Sequence, residues 1–276
     1  MPTSVLVLTF DEEVNIDACL ASVAWCDDVV VLDSFSSDAT VSIAARRGAR
    51  IVQRRFDDYA SQRNFGLTEV AYKHPWVLMV DADERIPEDL RAELETKLPT
   101  IDGATTLFMI RRKDYLFGKW LRRAAGYPTW FGRLARVGRV WVERPVNEEY
   151  HTDGNVDKLW GHIDHYPFNK GFSAWIAKHD RYSTMEAGVL EHRKLEPRRL
   201  REIFTGGTTA RRRALKSLLY SLPARPLVIF FALYVVRGGM FDGRAGLTFS
   251  LLRSWYEYMI DCKIRERVRR RQGLPV

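Results

Sequence analysis

Trp76–Glu84 reads WVLMVDADE, an unbroken apolar run that stops on two carboxylates one residue apart. A strand apolar on both faces belongs inside a parallel sheet, with helices covering either side. Asp81 and Asp83 are two positions apart in an extended segment, so their side chains are expected to project to the same side. Ligands of an open α/β sheet gather at the carboxyl ends of its strands. Two hard carboxylates at that edge suit Mg²⁺ or Mn²⁺, which keep waters and take further ligands from substrate phosphates. Asp also ends strands and opens turns for local reasons, so the motif gains its weight from its neighbours.

Upstream, the same alternation recurs. Ser4–Thr9 and Val29–Leu32 are apolar runs expected as buried strands. Val14–Val23, Ala39–Arg47, Tyr59–Tyr72 and Pro87–Leu98 carry helical spacing, and Arg50–Gln53 is short and extended. Thr105–Ile110 and Leu134–Val142 read as further strands. This order predicts an α/β fold with an open, mostly parallel sheet. Strand one ends in Asp11-Glu12-Glu13 and strand two in Asp33 and Asp38, so three acidic clusters are expected on one rim.

The chain has 276 residues, 46% of them hydrophobic, enough for a substantial core. Three cysteines without a CxxC pair exclude a disulfide scaffold and fit a reducing compartment. The apolar N-terminus lacks a basic leader region and reads as a strand. No GxGxxG, Walker or GxSxG element is present, which argues against dinucleotide oxidoreductases, P-loop enzymes and α/β-hydrolases. The histidines lack metalloprotease spacing, and His162 and His165 read as loop or core residues.

Net charge is +8, but it is split. From Arg193 onward there are 19 Lys and Arg against 6 Asp and Glu, a net of +13, which leaves −5 on the first 192 residues. A basic end on an acidic body asks for an anionic partner. This end is expected to be helical: Ala174–Glu191, Leu200–Ala214 with Arg211-Arg212-Arg213, and the apolar stretch Ala214–Val236, broken by Pro223, Arg225 and Pro226. Pro226–Val236 would be about 17 Å long as a helix, short of the ~30 Å needed to cross a bilayer. It reads either as core or as an interfacial helix flanked by arginines, the latter favoured by the Trp255–Tyr258 aromatics and the Arg265–Arg271 run.

Taken together, these stretches resemble glycosyltransferase family 2, the inverting GT-A enzymes. TFDEEVNIDACLASV (Thr9–Val23) is similar to the family's opening strand and helix. VVVLDSFSSDAT (Val29–Thr40), DYASQRNFGL (Asp58–Leu67) and VLMVDADE (Val77–Glu84) follow in the family's order. The likeness continues through WFGRLARVGRVWVERPVNEEY (Trp130–Tyr150). KGFSAWIAKHDRYS (Lys170–Ser183) and GGMFDGRAG (Gly238–Gly246) look like bacterial lipopolysaccharide-core β-1,4-glucosyltransferases and related lipid-linked sugar transferases.

The resemblance implies a catalytic domain over residues 1–170, with nucleotide-sugar binding over about 1–100 and the acceptor side over about 101–170. Residues 171–276 would form a helical, membrane-associating region. It implies that Thr9, Glu12, Asp33, Arg63 and Asp81 line the nucleotide-sugar pocket. Asp83 would be the principal ligand of Mg²⁺ or Mn²⁺, with Asp81 assisting. Glu148, in Asn147-Glu148-Glu149, would be the catalytic base by motif position. The expected reaction moves a hexose from a UDP-sugar to a glycolipid such as lipopolysaccharide inner core, at the cytoplasmic face of the plasma membrane. Transfer to polyprenyl phosphate or another envelope glycan is the alternative. Nucleic acid is not an expected partner, because the basic residues are interleaved with apolar sequence better suited to lipid.

Overall fold

A computed structural model describes residues 2–143, 149–191 and 224–276. Contacts divide the chain into two compact units: Met1–Arg122 with Gly126–Trp175, and Arg123–Ala125 with Ile176–Val276.

The first unit is built on one sheet. Strands β1 (Thr3–Thr9), β2 (Val29–Asp33), β3 (Arg50–Gln53) and β4 (Trp76–Asp81) are all parallel, in the order β3-β2-β1-β4. Alternate residues of these strands serve two cores. Val5, Val7, Val31, Leu78 and Val80 pack with Ile16 and Leu20 of α1 (Glu13–Ser22) and with Leu90 and Leu94 of α4 (Glu88–Lys97). Leu6, Val30, Leu32, Val77 and Met79 pack on the other face with Ala60 and Leu67 of α3 (Tyr59–Thr68). Burial on both faces is why these strands carry continuous apolar runs. α2 (Thr40–Arg46) places Ala44 in the first core. α3 opens at Asp58, whose carboxylate accepts the Ser61 N–H at 2.9 Å.

Beyond β4 the sheet departs from the parallel pattern. β8 (Thr129–Arg136) runs antiparallel to β4 and to β6 (Thr105–Leu116). β11 (Asn155–His165) is parallel to β6, and β5 (Glu84–Arg85) closes the edge antiparallel to β11. β7 (Lys119–Trp120) pairs with the end of β6. The expected strand Leu134–Val142 is in fact two. Gly138 adopts φ +74°, which glycine reaches without steric cost, and the chain leaves β8 to form β9 (Val140–Glu143). β9 pairs with β10 (Glu149–Thr152) in a separate ribbon. Asn64 of α3 holds that ribbon: its amide donates to the Val142 carbonyl at 2.8 Å and accepts the Val142 N–H at 2.7 Å.

Helix α5 (Gly171–Glu191) follows. In the second unit, Ala187 and Leu190 of α5 pack with Tyr256 and Ile260 of α7 (Gly243–Arg271). α6 (Arg225–Phe231) continues as a π-helical turn over Ala232–Val236. Arg225, 1% exposed, is paired with Glu257 and, at 3.0 Å, with Asp261 of α7. The GGMFDGRAG stretch earns its glycines here. A Cβ on Gly246 would lie 2.0 Å from the Gly239 carbonyl oxygen, and Asp242 accepts the N–H groups of Arg123 and Ala124 at 2.9 and 2.8 Å. The expected helix Leu200–Ala214, its arginine run and the start of the apolar stretch lie outside the described residues.

Candidate active site

Because β1, β2 and β4 are adjacent and parallel, their carboxyl ends bring the three acidic clusters to one rim, as expected. Thr9 and Asp33 are register partners, and the Thr9 hydroxyl donates to Asp33 at 3.0 Å. Asp33 is fully buried. It also accepts the Ser36 N–H at 3.0 Å, the Ser36 hydroxyl at 2.5 Å and the Gln53 amide at 3.1 Å. The strand-one loop is tied to the strand-two loop in turn, since Ser37 N–H donates to Asp11 at 2.7 Å and Glu12 N–H to Thr40 at 2.7 Å. The Glu12 carboxylate accepts from Asn15 at 2.8 Å and pairs with Lys170 at 3.1 Å. Burial, together with the charge of Asp83, raises its pKa, against the pull of Asn15 and Lys170.

Asp81 is held by two arginines. Its Oδ1 accepts from Arg63 at 2.9 Å and its Oδ2 from Arg133 at 2.8 Å. Burial opposes ionisation, yet the Arg133 and Arg63 guanidiniums keep this carboxylate well below the usual range. Arg63 is therefore a buried residue of the site, 3% exposed, and not a solvated helix residue. The same Arg133 nitrogen reaches Glu84 at 2.7 Å, and Glu84 in turn accepts the Asp81 N–H at 2.9 Å. Glu84 is wholly buried, and burial with the neighbouring Asp81 charge pushes its pKa up.

Asp83 occupies a turn beyond the end of β4, so strand alternation does not set its relation to Asp81. Its Oδ2 lies 3.3 Å from Nε2 of His165, the last residue of β11. Nδ1 of His165 is 2.5 Å from Asp114, which also pairs with Arg112 at 3.1 Å. Burial and Arg112 disfavour charge on His165, but Asp83 and Asp114 push its pKa up to about 9. Positive charge is thus stabilised at the point where Asp83 and His165 meet. A carboxylate and an imidazole nitrogen there, the latter oriented by a second carboxylate, would fit a divalent cation that displaces the imidazole proton and draws its other ligands from water and phosphate. Among the described residues no three metal-binding side chains converge into a closed cage. Glu148, the expected base, lies outside the described residues.

Sequence reading missed His165, Asp114, Glu84 and Arg133. The signal for β11 is present, since Leu159, Gly161, Ile163 and His165 alternate as buried residues. It is obscured by the exposed charged stretch that opens the strand. Arg133→Leu would leave the fully buried Glu84 without its 2.7 Å partner. The expected cost is about 3–5 kcal/mol in urea unfolding at pH 7. The raised Glu84 pKa means that the buried carboxyl takes a proton readily, so the deficit narrows as pH falls. Equal stability of variant and wild type at pH 7 would contradict this arrangement.

The parallel half of the sheet carries an acidic, arginine-braced rim at its carboxyl edge, where ligands of open α/β sheets bind. The chain belongs to glycosyl transferase family 2, whose family model matches residues 4–144. It is similar to the lipopolysaccharide core biosynthesis glycosyltransferase LpsC of Rhizobium meliloti, at 26% identity over 97% of this chain and 93% of that protein. An uncharacterized glycosyltransferase of Rickettsia bellii is 37% identical over 33% of this chain and 31% of its own length. Among solved structures, S. aureus TarS 1-349 aligns with 99% of this chain and 92% of its own, at 17% identity and a TM-score of 0.44. Glucosyl-3-phosphoglycerate synthase from Mycobacterium tuberculosis, in complex with Mn²⁺ and UDP, aligns with 41% of this chain and 44% of its own, at 22% identity and a TM-score of 0.34.

Proposed function

We propose that this glycosyltransferase is a metal-dependent, inverting hexosyltransferase that moves a sugar, glucose by resemblance, from a UDP-sugar to a lipopolysaccharide-core-type glycolipid. The observation that carries the reading is the meeting of Asp83 with His165 at the rim where Thr9, Glu12, Asp33, Arg63 and Asp81 also stand. Asp83 and His165 would hold Mg²⁺ or Mn²⁺. When bound, the cation supplies neutralisation of the charge that develops on the leaving diphosphate. Asp81, its oxygens held by Arg63 and Arg133, fixes the floor of the site and reaches donor or metal only indirectly. Asp33 and Thr9 shape the nucleoside end. Glu148 would take the proton of the acceptor hydroxyl as that oxygen attacks the anomeric carbon. The test is a hydrolysis and transfer screen across nucleotide-sugars with and without Mn²⁺. A UDP-hexose should be the preferred donor, and activity that persists in EDTA would count against the metal.

The second unit supports a peripheral site of action on the cytoplasmic face of the plasma membrane. No single helix among the described residues is long and apolar enough to cross a bilayer, but Arg225–Val236 and Gly239–Arg271 form a pair bent by 70°. Leu227, Phe231, Val236 and Phe241 of this pair are more than half exposed, and Arg237 and Arg244 stand beside them in sequence. Apolar side chains among arginines suit the interface of an anionic membrane. Binding to anionic vesicles is therefore expected at low salt, and it should weaken as salt screens the arginines. Phe231→Ser with Phe241→Ser should remove most of the salt-resistant part. Phe230 is the poorer choice because it stacks on Tyr234 at 5.4 Å. Co-sedimentation that is equal with neutral and anionic vesicles would contradict this attachment.

A further inference from the structure

The strands that build the rim also build a second chemical surface. On β6, Arg112 and Asp114 point to the His165 network, so the alternating residues Arg111 and Lys113 point to the opposite face. Arg111 is the register partner of Trp130 on β8 and of His162 on β11. Its guanidinium lies 5.7 Å from the ring centres of Tyr127 and Trp130 and 5.8 Å from that of Trp160. Trp130 and Trp160 meet edge to face at 5.9 Å, and the Lys158 ammonium lies 4.8 Å from the Trp130 ring. Trp160 is 65% exposed and adjoins Trp130, so the two indoles form a contiguous aromatic patch and not an isolated surface residue.

Charge on this face is mixed around His162, which lies 3.2 Å from Asp89 and 3.5 Å from Asp164, and unbalanced around Arg111 and Lys158. Among the described residues, Arg111 and Lys158 have no carboxylate within ion-pair distance, whereas Lys113 is the register partner of Asp164 and offsets its charge. Arg111 donates only a long 3.4 Å bond to the Gly161 carbonyl, and Lys113 contacts the His162 ring at 2.8 Å. Burial lowers the pKa of His162, against the pull of Asp89 and Asp164. Cations held over indole faces with no acidic partner form a surface ready for an anion. Flat aromatic faces, negative at the centre, also suit the C–H edges of a pyranose ring.

We propose that this face is the acceptor subsite for an anionic saccharide, a sugar bearing phosphate or carboxylate groups. Trp160 and Trp130 carry the ring, and Arg111 and Lys158 meet the anionic substituent. This rests on the glycosyltransferase reading and adds to it the class of acceptor. β6 and β11 give the placement its logic, since each supplies one residue of the Asp114–His165 pair and also residues of this face.

The test uses the full chain and a delipidated, phosphorylated lipopolysaccharide core oligosaccharide as probe, with the phosphatase-treated oligosaccharide as a second arm. Binding is read by calorimetry. The phosphorylated probe should bind more tightly than the treated one. Lys158→Ala with Trp160→Ala, both exposed and expected to fold, should raise Kd by about tenfold or more. Lys158→Arg should restore most of the charge-dependent part. Unchanged affinity in the double variant would overturn the proposal, as would preference for the treated probe. So would displacement of the probe by saccharide-free anionic vesicles or by a single-stranded oligonucleotide. UDP-sugar hydrolysis by the wild type is measured on the same preparation. Its absence counts against the transferase reading alone, whereas hydrolysis without saccharide binding counts against the subsite alone.

Discussion

Asp83→Ala is expected to lower sugar transfer by about 10³-fold or more, equivalent to about 4 kcal/mol of lost transition-state stabilisation. The side chain stands in the turn after β4, 3.3 Å from His165, outside the two apolar cores. Folding should therefore survive, and the thermal melting profile should stay close to that of the wild type. The loss should not be rescued by raising Mn²⁺, because the carboxylate ligand itself is gone. A variant that keeps substantial transfer would remove Asp83 from the reaction. Asp81→Asn is expected to behave differently. The amide keeps one acceptor oxygen but loses the charge and turns an NH2 toward one of Arg63 and Arg133, so stability and activity should fall together.

Glu148→Gln is expected to lower kcat by about 10²–10⁴-fold with little change in donor affinity, since an amide keeps the shape but cannot accept the acceptor proton. Glu149, the first residue of β10, is the internal control. If Glu149→Gln shows the loss and Glu148→Gln does not, the base is one position further on. The neighbouring backbone is well anchored by Asn64, which clamps Val142 of β9 through both amide atoms.

What could be read from the sequence follows from how each element is buried. β1, β2 and β4 lie between two helical layers, so each carries a continuous apolar run, and the three were legible to within a residue or two. Once their order was clear, the acidic rim followed from topology alone. β11 was not legible, because its first half is exposed and charged and only its second half alternates. His165 was invisible as a site residue for the same reason. Its partners, Asp83 in the turn after β4 and Asp114 on β6, are brought to it by long-range pairing that no local pattern encodes. The Arg63-Asn64 motif was recognised as a unit, but its two side chains do separate work. Arg63 turns inward to Asp81, and Asn64 fastens the β9–β10 ribbon. Asp81 and Asp83 read as a matched pair on paper. The turn at Ala82 parts them, giving Asp81 to two arginines and Asp83 to a histidine.

Inverting transfer from an α-linked nucleotide-sugar, as proposed, is checked by the anomeric configuration of the product. The wild-type chain is incubated with UDP-glucose, Mn²⁺ and a phosphorylated lipopolysaccharide core oligosaccharide, and the anomeric coupling of the new residue is read by proton NMR. One added hexose in the β configuration, formed only with the metal, is expected. An α-linked product, or a β-linked product formed equally well in EDTA, would contradict it.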